Sequence, residues 1–522
     1  MYARILHSKH GWRHALASVL AAFWLSACGG GGDTASTAVA LGSSPSFSTP
    51  SAYAPTQTPA AGQTQAAAPA QITPSAQAQT ATPAQTVASA QAVAPSTEEF
   101  RVNTTTAGNQ TDPAIARLKD GSHVIAWKSE QSPPSVGVQG VCTQRYGANG
   151  QALGGEACFA PNVAPLVRPV AVALAQGGYL IIWAEPQSGR FGNTNVWAQR
   201  FDTDGIVLGS AQQINSVTSG DSAIPVGGAG LADGGYVVTW ASAFTRETSS
   251  DIFARRFGAD GAPCPCGPEK RVNTFISSFE SSRGQPMVAA LKDGGYVISW
   301  ISINQDIRGG AVFAQRYDAD PNSGPVGRET PLARNPLGNL TGGRAGDQAI
   351  AALTNGGYVL TYQLTSSTPD ERNRLFQVVV QPFAADGTAL ADQSLVDPPV
   401  PGAPIRLCTS SRIPPNTPCP VFQGSPAVAA LDDGSFVVAW TADKSSIGAN
   451  ESYVRRYSGE GAPLGAPTRF TPLGVTAVLS PTAGGGFVVA FDELNRVAAF
   501  PSTSEIKARY FDAQAFRDNT AP

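Results

Sequence analysis

From residue 98 onward, a short pattern of apolar and turn residues recurs along the chain. An Ala-rich apolar segment leads into an Asp-Gly or Gly-Gly turn, and a nearly continuous apolar segment follows and ends in an aromatic residue. Residues 236–240, Tyr-Val-Val-Thr-Trp, are typical of the second segment. Short apolar segments joined by such turns predict pairs of antiparallel β-strands. The copies end at seven aromatic residues, namely Trp127, Trp183, Trp240, Trp300, Tyr362, Trp440 and Phe491.

Each copy continues beyond this aromatic residue with a third predicted strand. That strand ends in an Arg-aromatic pair in every copy except the fifth, which has Pro382-Phe383. A turn and usually a fourth strand follow, such as residues 269–274. The last copy stops after its third strand, but residues 99–104, Glu-Phe-Arg-Val-Asn-Thr, resemble the fourth strand at 269–274. The N-terminal strand is therefore expected to complete the last copy.

Seven copies of a four-stranded unit, 51–78 residues apart, predict a ring of stacked units. The chain resembles bacterial seven-bladed β-propellers over residues 98–515, with a tail at 516–522. We therefore expect an all-β, seven-bladed β-propeller of four-stranded blades, closed by the N-terminal strand. Closure would remove an exposed sheet edge. The alternatives are a row of β-sandwiches and an open solenoid, but the units are too short to bury independent cores.

The first 28 residues have the parts of a bacterial lipoprotein signal. Three basic residues precede an apolar run that is too short to span a bilayer, and residues 25–28, Leu-Ser-Ala-Cys, resemble the lipobox. The resemblance implies removal of a signal peptide at 1–27 and lipidation of Cys28. Gly29, rather than Asp, follows the cysteine. By resemblance this favours the outer over the inner membrane of the cell envelope. The alternative is an ordinary cleaved signal with a cysteine there by chance.

Residues 34–97 contain no charged side chain and consist mainly of Ala, Pro, Gln, Thr and Ser. Such a segment buries too little apolar surface to fold, so residues 28–97 are predicted to be a lipidated cysteine and a disordered tether. The formal charge of the chain is −3, and residues 1–27 hold three basic and no acidic residues, which leaves −6 from Cys28 onward. This acidic balance argues against a nucleic-acid partner. We expect a monomer that contacts the membrane through its lipid anchor.

Six cysteines remain after Cys28, and they fall into three local pairs along the chain. An oxidising compartment favours disulfides in an exported protein. We predict the pairs Cys142–Cys158, Cys264–Cys266 and Cys408–Cys419, although other connectivities are allowed. Only Pro265 separates Cys264 from Cys266. A redox or metal role is the alternative for that pair.

The connections between second and third strands, and between one blade and the next, are long and variable. Both kinds lie at the same end of an up-and-down blade, so the sequence predicts a variable-loop face that carries the binding surface. The largest insertion runs from Val396 to Gly424 and is Pro-rich. We expect Cys408 and Cys419 to staple it, either as a binding loop or as a rigid surface decoration.

The sequence contains no motif that establishes an enzyme. His123 is the one histidine after residue 27, and its place inside a predicted strand favours packing over catalysis. Asp233-Gly234-Gly235 resembles the start of a sialidase Asp box, but Trp240 comes too late in the sequence. We predict no catalytic residue, no metal and no cofactor.

Two functions remain open at this level. The first is a cell-envelope binding or scaffold propeller for a protein, a peptide or a glycan. The second is an envelope glycoside hydrolase or lyase that uses carboxylates on the variable-loop face, because paired carboxylates suffice for that chemistry. The candidate carboxylates are Asp112, Asp221, Glu280 and Asp347.

Overall fold

The computed structural model describes residues 97–130, 139–159, 163, 167–186, 194–216, 223–242, 250–275, 283–302, 305, 311–332, 344–367, 374–397, 423–443, 450–471, 474–495 and 503–513. In these ranges the chain forms seven antiparallel sheets of four strands each. The prediction of an all-β, seven-bladed β-propeller of four-stranded blades is confirmed. The predicted signal peptide, the predicted tether up to residue 96 and the predicted C-terminal tail lie outside the described residues. Within the described ranges, no helix is long and apolar enough to cross a membrane.

In blades 1 to 6 the four strands follow one another along the chain from the centre of the ring outward, and in blade 7 the outer strand comes from the N-terminus. Blade 1 holds β2 (Gln110–Arg117), β3 (His123–Glu130), β4 (Gln139–Tyr146) and β5 (Ala152–Phe159); blade 2 holds β6 (Val170–Ala173), β7 (Tyr179–Pro186), β8 (Thr194–Phe201) and β9 (Val207–Gln213); blade 3 holds β10 (Ala223–Gly230), β11 (Tyr236–Ser242), β12 (Asp251–Phe257) and β13 (Lys270–Arg271). Blade 4 holds β14 (Arg283–Ala290), β15 (Tyr296–Ser302), β16 (Ala311–Tyr317) and β17 (Pro325–Pro331); blade 5 holds β18 (Arg344–Ala352), β19 (Tyr358–Ser367), β20 (Arg374–Phe383) and β21 (Ser394–Leu395). Blade 6 holds β22 (Gln423–Ala430), β23 (Phe436–Asp443), β24 (Asn450–Tyr457) and β25 (Thr468–Thr471), and blade 7 holds β26 (Gly474–Pro481), β27 (Phe487–Asn495), β28 (Thr503–Phe511) and β1 (Phe100–Arg101).

The N-terminal strand closes the ring as predicted. β1 pairs antiparallel with β28, with Phe100 opposite Ala508 and Arg101 opposite Lys507. The amide of Val102 extends the pairing by donating to the carbonyl of Ile506 at 2.8 Å. The outer edge of β28 is thereby covered by the chain's own N-terminus, which protects an otherwise open sheet edge.

The second strand of each blade is buried on both faces, because neighbouring blades cover its sheet. The tryptophans that end these strands are at most 2% exposed, so they pack in the core. An aromatic residue at the start of the second strand stacks on the aromatic residue that ends the third strand in blades 2 to 7; Tyr179 and Phe201 are typical, with ring centroids 4.7 Å apart. Stacked pairs of this kind stabilise the blade beyond simple area burial.

In three blades, the arginine that precedes the last aromatic residue of the third strand pairs with an aspartate of its own blade. Arg256 contacts Asp233 at 2.7 Å, and Arg316 and Arg456 contact Asp293 and Asp433 in the same way. The recurring arginine therefore has a structural role in these three blades.

The Asp-Gly segments are hairpin turns, as predicted, and their carboxylates are used by the turns themselves. Asp202 accepts hydrogen bonds from the amides of Asp204 and Ile206, and Asp260 and Asp386 accept from the amide two residues on. An aspartate that satisfies local backbone amides is a common turn stabiliser.

Candidate functional site: the inner-ring position

The first strands of the seven blades form the wall of the ring's centre. Each first strand contacts the first strands of the two neighbouring blades, in the unbroken circle β2, β6, β10, β14, β18, β22 and β26. Small residues make this close approach feasible. At Gly227 of β10, a Cβ atom would lie 2.5 Å from the carbonyl oxygen of Pro286 in the next blade. The centre of the ring is therefore a tightly packed wall built from first strands.

A β-bulge interrupts this wall near the start of the first strand in six blades. The register with the second strand shifts there in every blade except blade 2, as between Thr111 and Ala114. Three residues at the bulges have positive φ although they are not glycine: Asp112 (54°), Gln285 (52°) and Ser425 (49°). Such backbone is strained, and strain of this kind is concentrated at functional sites.

These residues occupy one equivalent place, which we call the inner-ring position. It lies 15 residues before the aromatic residue that ends the second strand, and its seven occupants are Asp112, Arg168, Pro225, Gln285, Asp347, Ser425 and Thr476. The position lies at the end of the first strand that receives the blade-to-blade connection. It therefore belongs to the predicted variable-loop face. Six of the seven occupants are polar or charged, at a place where the neighbouring strand residues are mostly small and apolar.

At blades 1 and 2 the inner-ring position holds a charged cluster. The carboxylate of Asp112 contacts Nζ of Lys128 on β3 at 2.6 Å and Nε of Arg168 at 3.2 Å. The Lys128 side chain is only 5% exposed, whereas the Arg168 side chain is 55% exposed. The cluster joins two blades and combines one carboxylate with two cations, so its outer side presents a guanidinium group to solvent.

At blades 4 and 5 the same position holds a cluster of amides and one carboxylate. Nε2 of Gln285 donates to Oδ1 of Asp347 at 2.8 Å, and Nε2 of Gln348 donates to the backbone carbonyl of Gln285 at 2.7 Å. Gln348 is 3% exposed, and its Oε1 has no hydrogen-bond partner. A buried acceptor without a partner costs free energy unless a ligand or water satisfies it. The cluster therefore has a free acceptor next to its donor–acceptor pair.

Two of the four candidate carboxylates lie at the inner-ring position. Asp112 and Asp347 belong to blades 1 and 5, and each contacts a neighbouring blade, blade 2 for Asp112 and blade 4 for Asp347. The described contacts do not bring the two together. Asp221 and Glu280 lie outside the described residues.

His123 packs between blades 1 and 7. It is 1% exposed, and its Nε2 donates to the carbonyl of Pro481 at 2.9 Å. It pairs with Tyr146 across β3 and β4. The six other blades have Tyr or Phe at the position of His123. Burial lowers the pKa of His123 below the usual 6.5, while the hydrogen bond to Pro481 acts in the opposite direction. These contacts confirm the interpretation of His123 as a packing residue.

Two of the three predicted cysteine pairs lie among the described residues, and both are disulfides. Cys142 and Cys158 face each other across β4 and β5, and Cys264 is joined to Cys266. Cys408 and Cys419, and nearly all of the insertion from Val396 to Gly424, lie outside the described residues. Cys28 does too.

One group of side chains within the described ranges has the composition of a metal site, namely Cys142, Glu156 and Cys158. Thiolates, not a disulfide, ligate a metal. In addition, the Glu156 carboxylate accepts hydrogen bonds from the amides of Thr104 at 2.6 Å and Thr105 at 3.1 Å. With the disulfide formed, these residues hold the ring-closing segment and do not fit a metal ion.

Clefts also open between the outer strands of neighbouring blades. One of about 450 Å³ lies at the closing seam and is lined by Phe100, Gln144, Tyr146 and Tyr510, among others. Its aromatic lining belongs to the packing of blade 7 on blade 1, where Phe100 contacts both tyrosine rings. Three exposed charged residues, Glu98, Glu99 and Arg101, also line it.

The chain was compared with known proteins. No family model matches it, and no curated protein does. Among solved structures it is similar to an α-L-arabinanase of Penicillium chrysogenum, with 13% identity over 81% of this chain and 97% of that chain and a TM-score of 0.42. It is also similar to an ulvan lyase described as a new family of polysaccharide lyase, with 10% identity over 80% of this chain and 100% of that chain and a TM-score of 0.44. A third similar structure is the NanB sialidase of Streptococcus pneumoniae, with 8% identity over 80% of this chain and 70% of that chain and a TM-score of 0.38. At this identity and TM-score the likeness assigns no activity to the chain.

Proposed function

We propose that this protein is a cell-envelope lipoprotein whose propeller binds a glycan at the inner-ring position. The observation that carries the proposal is that polar or charged residues occupy six of the seven equivalent places, five of them at β-bulges and three of them with a strained positive φ. Packing alone favours small apolar residues there, as in the rest of the first strands. Polar groups held on a rigid scaffold are typical of a ligand site.

The chemistry of the ring suits a ligand that is rich in hydroxyl groups. Amides, carboxylates and a guanidinium group offer donors and acceptors side by side, as in the pair Gln285–Asp347. Neighbouring hydroxyl groups of a sugar both donate and accept hydrogen bonds, so they match this alternation. The exposed guanidinium of Arg168 adds a place for a carboxylate or sulfate group on the glycan.

The lipid anchor and the tether are part of the same proposal. The signal-like residues 1–27, Cys28 and the uncharged segment up to residue 97 support an exported protein that is held at the outer membrane by its N-terminus. An uncharged tether would let the propeller reach its ligand at a distance from the lipid surface.

The second candidate is an envelope glycoside hydrolase or lyase. Asp112 and Asp347 favour it, because both are carboxylates at the inner-ring position. Glycoside hydrolysis by two carboxylates requires them about 5–10 Å apart. Asp112 is instead bound to Lys128 and Arg168. Binding without turnover is therefore our main proposal.

The test uses the full chain, purified from membranes in detergent and applied to an array of neutral and acidic glycans, with products followed by mass spectrometry. We expect retention of specific glycans without cleavage, and at least tenfold weaker retention for Gln285→Ala. Asp204→Asn, in an exposed hairpin turn of blade 2, is the matched control and should bind normally. Cleavage products would establish the enzyme instead. Equal binding by Gln285→Ala and the parent would refute the inner-ring site.

A further inference from the structure

Blade 3 departs from the other blades at one exposed place on its outer strand. One residue after the hairpin turn pairs with the arginine or proline that comes just before the last aromatic residue of the third strand. This residue is aliphatic in five blades: Leu153, Leu208, Val326, Leu390 and Leu464. These side chains are 37–45% exposed. In blade 3 the same place holds Cys264, whose amide donates to the carbonyl of Arg256 at 3.0 Å. Cys264 therefore stands at a solvent-facing place of the ring's rim.

Cys264 is joined to Cys266, and the pair lies in an open turn. Pro263 and Pro265 are exposed, both cysteines are partly exposed, and the turn continues into Gly267 with φ of 122°. In the other described disulfide Cys158 is exposed, but Cys142 is fully buried under its sheet. Attack on Cys158 would have to expel Cys142 as a thiolate in a buried, apolar place, which disfavours the charge. Neither sulfur of Cys264–Cys266 is buried in this way.

Stabilisation of the fold explains this second disulfide poorly. A disulfide stabilises a protein mainly by restricting the unfolded chain, and it does so less when the loop it closes is short. The sequence separation is 2 for Cys264–Cys266 and 16 for Cys142–Cys158. The short pair also lies within one turn, so it joins no two strands.

The turn also favours departure of one sulfur as a thiolate. The backbone amide of Cys266 donates to Sγ of Cys264 at 3.2 Å. A hydrogen bond to a sulfur stabilises its negative charge. Attack on Sγ of Cys266 would thus expel Cys264 as a stabilised thiolate.

We propose that Cys264 and Cys266 form a thiol–disulfide exchange site that accepts electrons from accessible dithiols. A dithiol's first thiolate attacks Sγ of Cys266, the Cys264–Cys266 bond breaks, and Cys264 leaves as a thiolate and takes up a proton. The second thiolate then attacks its partner sulfur in the mixed disulfide and expels Cys266, which is protonated in turn. The dithiol ends as a disulfide, and two electrons and two protons have moved to the cysteine pair. The exchange is reversible.

The experiment treats the oxidised full chain in detergent with graded dithiothreitol, quenches with an alkylating agent, and measures each cysteine by peptide mass spectrometry. We expect Cys264–Cys266 to be reduced at least tenfold faster than Cys142–Cys158, which serves as the control within the same molecule. Cys264→Ser should trap glutathione on Cys266 from oxidised glutathione. Equal reduction rates of the two pairs would refute the proposal.

A second measurement separates exchange from a structural role. The double variant Cys264→Ser/Cys266→Ser should keep the parent's thermal midpoint, because the proposed pair holds no strands together. The variant should lose only the fast phase of dithiothreitol oxidation. A large fall in the midpoint, or an unchanged fast phase, would each overturn the proposal.

Discussion

The backbone amide of Ile506 donates a hydrogen bond to Oδ1 of Asn103 at 2.8 Å, although the two residues are 403 positions apart in the chain. The same bond, at the same distance, joins Val196 to Asn215 in blade 2 and Ile252 to Asn273 in blade 3. The outer strand of a blade thus carries an asparagine that satisfies an amide of the third strand. The N-terminal strand therefore closes the ring with the same asparagine–amide hydrogen bond that joins the third and fourth strands in blades 2 and 3.

Asn103→Ala should destabilise the propeller by about 1–3 kcal/mol, because it leaves the buried amide of Ile506 without an acceptor. Urea unfolding followed by tryptophan fluorescence measures the change. Asn149→Ala is the matched control, since Asn149 accepts a hydrogen bond from Gln151 in an exposed turn and should shift stability by less than about 0.5 kcal/mol. Equal losses of stability in the two variants would show that the hydrogen bond between Asn103 and Ile506 adds no more to the free energy of unfolding than an exposed turn contact does.

Gly227→Ala should destabilise the ring by about 1–3 kcal/mol or more, because overpacking forces the backbone of two blades apart. The added Cβ would lie 2.5 Å from the carbonyl oxygen of Pro286. Gly284→Ala, in the first strand of blade 4, is the control, because its Cβ would meet no atom within 4 Å. Thermal unfolding of both variants measures the difference. A tolerated alanine at residue 227 would mean that the first strands are less tightly packed than described.

The fold could be predicted from the sequence because the local signals repeat. Seven Asp-Gly or Gly-Gly turns, each followed by a buried strand, agree with one another, and the Val-Asn pair at residues 102–103 matches the pair at 272–273. The Asn side chain accepts a hydrogen bond from the third strand at the same place in blades 2, 3 and 7, so its recurrence in the sequence marks the missing fourth strand.

The candidate site could be predicted only in part. Asp112 and Asp347 were identifiable as carboxylates between blades, but Arg168 and Gln285 were not, because the inner-ring position has no common side-chain chemistry. The shared feature is the place in the blade, where a bulge shifts the strand register in every blade except blade 2. A proline follows Asp112, Arg168, Gln285 and Ser425, and this recurrence was the available signal. Proline restricts the residue before it, which suits an irregular strand start.

Stability should fall as the pH falls below about 6.5, because burial lowers the pKa of His123. In that range the unfolded chain binds a proton that the folded protein excludes, so the free energy of unfolding decreases until the folded pKa is reached, at up to about 1.4 kcal/mol per pH unit. His123→Phe, the type of residue found at this place in other blades, should flatten this slope. Urea unfolding between pH 7 and 5 tests it, and an unchanged slope in the variant would assign the pH dependence to other groups.

Cys28→Ala should release the protein from the membrane, because the lipid chains would no longer be attached. Fractionation of cells and labelling with radioactive palmitate measure the change. The parent should carry the label and sediment with membranes, whereas the variant should carry no label and stay in the supernatant. Ser26→Ala, which keeps a small residue before the cysteine, is the control and should behave like the parent. A parent chain without label would leave Cys28 as the chance neighbour of an ordinary signal.

Arg168→Ala should weaken glycan binding about tenfold or more while changing stability by less than about 1 kcal/mol, because its ion pair with Asp112 is largely exposed on the arginine side. Arg117→Ala is the matched control. Arg117 lies at the other end of the first strand of blade 1 and pairs with Asp432 of blade 6 at 2.8 Å, so it too joins two blades, although its side chain is 25% exposed and that of Arg168 is 55% exposed. Titration of each purified variant with the glycan identified on the array gives the affinities, and urea unfolding gives the stabilities. Equal losses of binding would mean that the effect comes from general weakening of the ring. A loss confined to Arg168→Ala would locate the ligand at the variable-loop end of the ring.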